Sequence, residues 1–224
     1  MNASLLWRLL LAHVIADFPL QPDYLIAAKR KAGGLIIHAV LFGLTATVMC
    51  RQYIGRFYEL PMVLAGLTVF HGLLDWGKSA LTRKIGRDTL SLFLADQMLH
   101  ISSLIFAAYL LRFRPMIYEP ANLPIALGVL AVWAVPIFVN LGHAEFTGVD
   151  VLPNTGMGAS KNKLGMLERL GLFVAGVAQG WFLLAGLMIV PRIVFWAKGN
   201  KPGHTPINWA LALGLGLIAS VTMR

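Results

Sequence analysis

The sequence predicts an all-α, polytopic integral membrane protein with about six to seven transmembrane helices. Of its 224 residues, 58% are hydrophobic and only 13% are charged, and the mean hydropathy is +0.71. This balance is too apolar for an ordinary soluble domain. Seven apolar segments approach the ~20 residues that a helix needs to cross a bilayer. They cover roughly residues 2–18, 34–50, 60–80, 89–111, 123–142, 166–190 and 207–222.

The first segment is the least regular of the seven. Arg8 lies in its middle, and Pro19 and Pro22 end it, because proline cannot continue a helix. We therefore expect this segment to be tilted or re-entrant. Arg8, and the lack of a small-residue cleavage site before Asp17, also argue against a cleavable signal peptide.

The connections between the later segments predict an orientation. Those after segments 1, 3 and 5, together with Arg224, carry ten basic residues, and those after segments 2, 4 and 6 carry seven. Basic residues concentrate on the cytoplasmic side, so the first set is predicted to be cytoplasmic. Segment 5 leads into a long connection, 143–165, and segment 7 is short but continuous. We treat residues 1–224 as a single transmembrane domain, with a polar core on 1–111 and a second motif near 160–175.

Three histidine–aspartate pairs with the same four-residue spacing lie inside the apolar segments, and a further histidine accompanies them. They are His13/Asp17, His71/Asp75 and Asp96/His100, with His38 in segment 2. Residues four apart share one face of a helix. Each ionised aspartate costs about 2.5–3.5 kcal/mol at mid-membrane unless it is paired. The alternation of segments places all seven side chains on the same side, within about one half of the bilayer, which predicts a polar cavity open to the cytoplasm.

Imidazole and carboxylate groups are ligands for divalent ions of the Zn or Mn class. The predicted metal ligands are His13, His38, His71, Asp96 and His100. Asp17 and Asp75 are predicted as catalytic residues, acting as a general base, as further ligands or as groups that orient the histidines. The same residue types also build proton relays, or they stabilise each other without any catalytic role.

Two more charged residues open segment 6. Glu168 and Arg169 are adjacent, so they cannot face each other on a helix, and each is expected to find a partner on another segment. We include both among the candidate catalytic residues, with Arg169 steadying an anionic group. The alternative for Arg169 is an interfacial side chain that reaches the lipid headgroups.

The spacing of these residues resembles a known family. The pattern runs Ala12-His13-x-x-x-Asp17-Phe18-x-Leu20-Gln21, His38, His71-x-x-x-Asp75-x-x-Lys78 and Asp96-Gln97-x-x-His100. It resembles a bacterial inner-membrane family known as domain of unknown function 3307. The stretch 163–169 is similar to a second feature of some members. The resemblance supports a polar site within the membrane and implies no particular reaction.

We therefore expect a multi-pass protein of the bacterial inner (cytoplasmic) membrane. The leading hypothesis is a hydrolase that uses a divalent metal, Zn or Mn, on a lipid-linked or small polar substrate. The first alternative is a transporter or an ion- or proton-conducting protein built on the same cluster, and the second is a non-catalytic assembly partner. Membrane lipids are expected partners and nucleic acid is not, because the net charge of +9 is spread over short connections. Cys50 is the single cysteine, which excludes a cysteine-rich metal site.

Overall fold

The regular structure of the described residues is helical. The computed structural model describes residues 2–117, 119–148, 163–178 and 205–223, and within these ranges it contains helices and no strand. The predicted all-α class is therefore confirmed for this part of the chain. The chain divides into two units, Met1–Asn122 and Leu123–Arg224.

The first unit consists of five α-helices in its described residues. They are α1 (Ala3–Asp17), α2 (Asp23–Ala28), α3 (Ala32–Cys50), α4 (Glu59–Ile85) and α5 (Leu90–Leu110). A short 3-10 turn, Arg51–Tyr53, follows α3. Four of these helices match predicted segments, whereas α2 was not predicted. Helix α4 continues beyond the predicted end at residue 80, because Arg83 and Lys84 occupy its last turn, where positive charge is favourable, and Gly86 ends it at φ 86°.

Arg8 is buried in this unit, and its polar partners come from outside α1. Its Nη1 donates to the carbonyl oxygen of Met49 at 2.8 Å, and its Nη2 lies 2.7 Å from the carboxylate of Glu119. The guanidinium also lies 5.1 Å from the ring centroid of Tyr53. Two nitrogens of this buried arginine are thus satisfied by the last turn of α3 and the loop after α5.

The second unit begins within α6 (Asn122–Val129), which continues through a π-helical turn, Leu130–Ala134, into α7 (Val135–Thr147). Pro136 follows this turn. Proline has no N–H, so it cannot donate to the carbonyl oxygen of Val132 four residues earlier. The described residues of the unit also form α8 (Lys163–Val177) and α9 (Thr205–Thr222). The later part of predicted segment 6 lies outside the described residues.

Helices α8 and α9 approach each other closely at two glycines. A Cβ added to Gly176 would lie 2.6 Å from the carbonyl oxygen of Leu213, and one added to Gly216 would overlap the carbonyl oxygen of Phe173. Small residues allow backbones to pack in this way. Gly66 on α4 makes no such approach, since a Cβ there would meet no atom of the described residues within 4 Å.

Four helical stretches of the described chain are long and apolar enough to cross a membrane. They are Ala32–Tyr53, Glu59–Ile85, Leu90–Leu110 and Asn122–Thr147. Large apolar side chains on their outer faces are exposed, among them Val69 (64%) on α4 and Phe106 (61%) on α5. Such continuous apolar surface suggests association with a membrane. Six to seven crossings remain a prediction, and α1, with 15 residues, is shorter than a complete span.

Candidate functional site

The seven predicted polar residues of the first unit form one buried cluster. They come from α1 (His13 and Asp17), α3 (His38), α4 (His71 and Asp75) and α5 (Asp96 and His100), and each side chain is buried. The four-residue spacing on α1, α4 and α5 points both members of each pair into the same interior, as the helical period requires. We call these seven residues the His/Asp cluster.

One oxygen of Asp17 lies at the centre of this cluster. Its Oδ1 is 3.5 Å from His13 Nδ1, 3.3 Å from His38 Nε2 and 3.5 Å from His71 Nε2. His38 Nε2 and His71 Nε2 are themselves 3.0 Å apart. Four donor atoms from three helices thus converge within a few ångströms.

Asp75 approaches the same two imidazoles. Its Oδ2 lies 3.3 Å from His38 Nε2 and 3.7 Å from His71 Nε2. Ligand atoms around a tetrahedral ion with bonds of about 2.0–2.1 Å are roughly 3.3 Å apart. The separations between these carboxylate oxygens and imidazole nitrogens are therefore close to those of a metal site.

On α5, the orientation of His100 leaves a ring nitrogen available. Its Nδ1 lies 2.9 Å from the backbone carbonyl oxygen of Asp96. A carbonyl only accepts, so Nδ1 carries the proton, and Nε2 of the neutral ring is an unprotonated acceptor. This Nε2 is buried and makes no hydrogen bond to any part of the chain that the structure describes. An imidazole held in one tautomer by a backbone carbonyl is the usual arrangement of a metal-ligating histidine.

Three groupings of donors among the described residues could hold an ion. They are His13, Asp17 and His71; His38, His71 and Asp75; and Asp75, Asp96 and His100, with the donor atoms of each group within 4.8 Å of one another. Asp17 and Asp75 are therefore potential metal ligands, in addition to the five ligands predicted from the sequence.

Two lysines that were not predicted to belong to the site complete it. Lys29 Nζ lies 2.8 Å from Asp75 Oδ2, and Lys78 Nζ lies 3.0 Å from Asp96 Oδ2. Lys78 is three residues after Asp75 and so shares its helix face, a signal that the sequence offered. Lys29 lies between α2 and α3, where periodicity gives no indication of its direction.

Two glutamines also contact the cluster. Gln97 Nε2 donates to Asp96 Oδ2 at 3.2 Å, because a flexible side chain can reach back to its neighbour along the helix. With its amide nitrogen facing the backbone oxygen of Asp17 and its amide oxygen facing Lys29 Nζ, Gln21 donates to the first at 2.7 Å and accepts from the second at 2.7 Å. Gln21 thus ties the end of α1 to Lys29.

Glu168 and Arg169 lie in the second unit, on α8, and both are buried. Trp209 Nε1 donates to Glu168 Oε2 at 3.2 Å, and Arg169 Nε donates to the Val132 carbonyl oxygen at 2.9 Å. Each side chain thus finds a partner on another segment, as expected. The carbonyl that accepts from Arg169 is the one that Pro136 leaves without its helical donor. Participation of these two residues in catalysis stays a prediction.

Comparison with known proteins places the first unit in a family. The family model described as "Protein of unknown function (DUF3307)" matches residues 5–118, a range that contains the whole His/Asp cluster and both lysines. No curated protein and no solved structure matches the chain. Since the match covers more than half of the sequence, the chain belongs to the DUF3307 family.

Proposed function

We propose that this protein is a membrane-embedded hydrolase that binds a divalent metal ion of the Zn or Mn class in the His/Asp cluster. The observation that carries the proposal is the convergence of buried donors, above all the fixed, unprotonated Nε2 of His100 and the three imidazoles around Asp17 Oδ1. Buried polar atoms without partners are costly. An ion would satisfy several of them at once.

The charge of the cluster also favours a cation. Three carboxylates and two ammonium groups leave one net negative charge when the histidines are neutral. Asp17 is the aspartate whose ion pairs, within the described chain, involve histidines alone. An uncompensated buried charge is unfavourable, so a divalent ion beside Asp17 would be stabilised by this site.

A bound ion of this class supplies hydrolytic chemistry by lowering the pKa of a coordinated water. His13, His38 and His71 would hold the ion with Asp17, whereas His100 belongs to a neighbouring group of donors with Asp75 and Asp96. Asp75 or Asp96 would accept a proton from the attacking water. The apolar outer faces of α3, α4 and α5 would keep the site within the inner membrane of a bacterium, where a lipid-linked or small polar substrate would reach it.

A second candidate is a cation- or proton-conducting protein. The observation that favours it is the continuity of titratable groups, since His13 and His100 stack with centroids 5.1 Å apart and His71 lies between His38 and His100. A chain of this kind transfers protons without a resident metal. On the other side of His71 and His100 the interior of the unit is packed with apolar side chains such as Leu64 and Leu104, which favours a one-sided site over a pathway.

Two assays on the same preparation separate the candidates. Reconstituted protein is incubated with a bacterial polar lipid extract and with p-nitrophenyl esters, with and without Zn²⁺ or Mn²⁺, and products are followed by mass spectrometry and absorbance. Proton and cation flux is measured in parallel with dye-loaded liposomes. Metal-dependent product formation that His71→Ala abolishes and His143→Ala retains supports the hydrolase. Flux without any metal-dependent product overturns it.

A further inference from the structure

We propose that Lys29 and Lys78 form the binding site for a phosphate group of the substrate, next to the metal ion. This inference rests on the proposed metal site and adds the substrate class. The positions of the two ammonium groups support it. Each lies within 3.0 Å of a carboxylate oxygen of the cluster, yet neither was needed to explain how the histidines and aspartates converge.

The lysines lie on the accessible side of the cluster. The side chains of Lys29 and Lys78 are 14% and 26% exposed, whereas their partners Asp75 and Asp96 are 3% and 4% exposed. One oxygen of Asp75 and one of Asp96 belong to a single group of donors within 4.8 Å of one another. The two ammonium groups therefore flank one small region, and a ligand arriving from solvent meets them before it meets the carboxylates.

Metal loading changes the sign of the charge in this region. Without an ion the cluster carries one net negative charge, and its lysines are neutralised by Asp75 and Asp96. A divalent ion makes the net charge positive by one unit, so that an anion is attracted and the ammonium groups can hydrogen-bond to it. Anion binding at these lysines is therefore expected to require the metal.

The local structure fixes Lys29 for this role. The Gln21 amide oxygen accepts from Lys29 Nζ, and a Cβ at Gly34 would overlap the backbone of Ala28. The end of α2 is thus pressed against the start of α3, which limits the movement of the lysine that follows. A preorganised ammonium group binds an anion with less loss of conformational entropy.

Phosphate is the anion that this arrangement suits best. Lysine binds phosphate as a point charge, and a phosphate oxygen is also a good ligand for the metal ions proposed here. Further basic side chains lie exposed beyond the cluster, at Arg83, Lys84 and Arg87 on or just after α4. They would draw a charged substrate toward this end of the unit.

Equilibrium binding tests the proposal with two probes, radiolabelled inorganic phosphate and phosphatidic acid in phosphatidylcholine nanodiscs. Detergent-purified protein is compared with and without Mn²⁺, and bound metal is measured in every sample. Lys29→Gln and Lys78→Gln should each weaken binding of the phosphate group about tenfold or more, because each removes a charge-assisted hydrogen bond. Lys84→Gln, an exposed control on the same helix as Lys78, should leave it unchanged.

A second measurement needs no variant. Phosphate should slow acetylation of Lys29 and Lys78 by an amine-specific reagent in the metal-loaded wild-type protein, as read by mass spectrometry, and leave Lys84 unaffected. Binding of inorganic phosphate would indicate a soluble phosphate ester, whereas binding of phosphatidic acid alone would indicate a lipid headgroup. If the protein retains its metal but neither probe binds, or if the lysine variants bind normally, the phosphate site is wrong. If the wild-type protein takes up no metal, the proposed function itself fails.

Discussion

Each of the three aspartates in the His/Asp cluster meets a different set of partners, and this difference determines what each can do. Asp75 and Asp96 are already paired with Lys29 and Lys78, whereas the ion pairs described for Asp17 are with histidines. A metal ion at Asp75 or Asp96 would compete with a tethered ammonium group, but one at Asp17 would not. We therefore expect the ion to lie closest to Asp17.

Arg8 gives a stability prediction that does not involve the cluster. Arg8→Met should lower the free energy of unfolding by roughly 2–3 kcal/mol, because the Met49 carbonyl and the partly exposed Glu119 carboxylate lose their partner. Thermal unfolding in detergent measures this change. Arg112→Met is the matched control, since Arg112 is exposed, stacks on the neighbouring Tyr109 and Phe113, and donates an exposed hydrogen bond to the Tyr109 carbonyl oxygen. Equal melting temperatures for both variants would contradict the burial of Arg8.

The membership of the His/Asp cluster followed from periodicity, but its details did not. Four-residue spacing and alternation of segments brought together all seven residues, because both are consequences of regular helix geometry. Lys29 was not predicted because it lies in a connection, where the direction of a side chain depends on packing. The contact between Gln97 and Asp96 was not predicted either, because helical periodicity does not describe how far a flexible side chain can bend back toward its neighbour. Which atoms bind metal depends on such details, so the ligand set stays a prediction.

Among the helices, one departure from the predicted pattern is the π-helical turn before Pro136. The apolar run 123–142 predicts a single regular helix, but the missing N–H of proline releases the Val132 carbonyl, and Arg169 of another helix donates to it. Nothing in the sequence links Pro136 to Arg169. Their pairing required the packing of α8 against this turn, which no local pattern contains.

The crossing of α8 and α9 yields a prediction with a matched control on the same helix. Gly216→Ala should destabilise the protein by about 1–3 kcal/mol, because its Cβ would overlap the Phe173 carbonyl oxygen. Gly214→Ala should be neutral or stabilising by up to about 1 kcal/mol, since a Cβ there meets nothing within 4 Å. Melting temperatures in detergent measure both. A neutral Gly216→Ala would show that the helices are not in such close contact.

Across the first unit, the two ends differ in composition. The end formed by the start of α1 and α4 and the last turns of α3 and α5 carries aromatic residues such as Tyr53, Tyr58 and Tyr109. Besides the buried Arg8, it has four basic residues, which are exposed at positions 51, 56 and 112 and half-buried at position 114. The end nearer the cluster carries seven basic residues, at positions 29, 30, 31, 78, 83, 84 and 87. Aromatic residues mark membrane interfaces, and the more basic end is expected to be cytoplasmic.

This asymmetry predicts which cysteine probes a membrane-impermeant reagent will reach. In a Cys50→Ala background, a cysteine replacing Arg56 should react with an impermeant maleimide added to intact spheroplasts. A cysteine replacing Lys84 should react only after the membrane is opened, because it lies at the more basic end. The reverse pattern would invert the orientation, and labelling of both from outside would contradict a spanning arrangement of α4.

The most direct test of the central claim is the metal content of the purified protein. Protein isolated through a tag without histidine is analysed by inductively coupled plasma mass spectrometry, beside folded Asp17→Asn and Asp88→Asn variants. Asp88 is an exposed aspartate outside the cluster that accepts a hydrogen bond from the Thr82 hydroxyl. We predict about one divalent ion per chain in the wild type and in Asp88→Asn, and a loss of most of it in Asp17→Asn. Equally low metal in all three proteins, after incubation with Zn²⁺ and Mn²⁺, would contradict a metal centre at the His/Asp cluster.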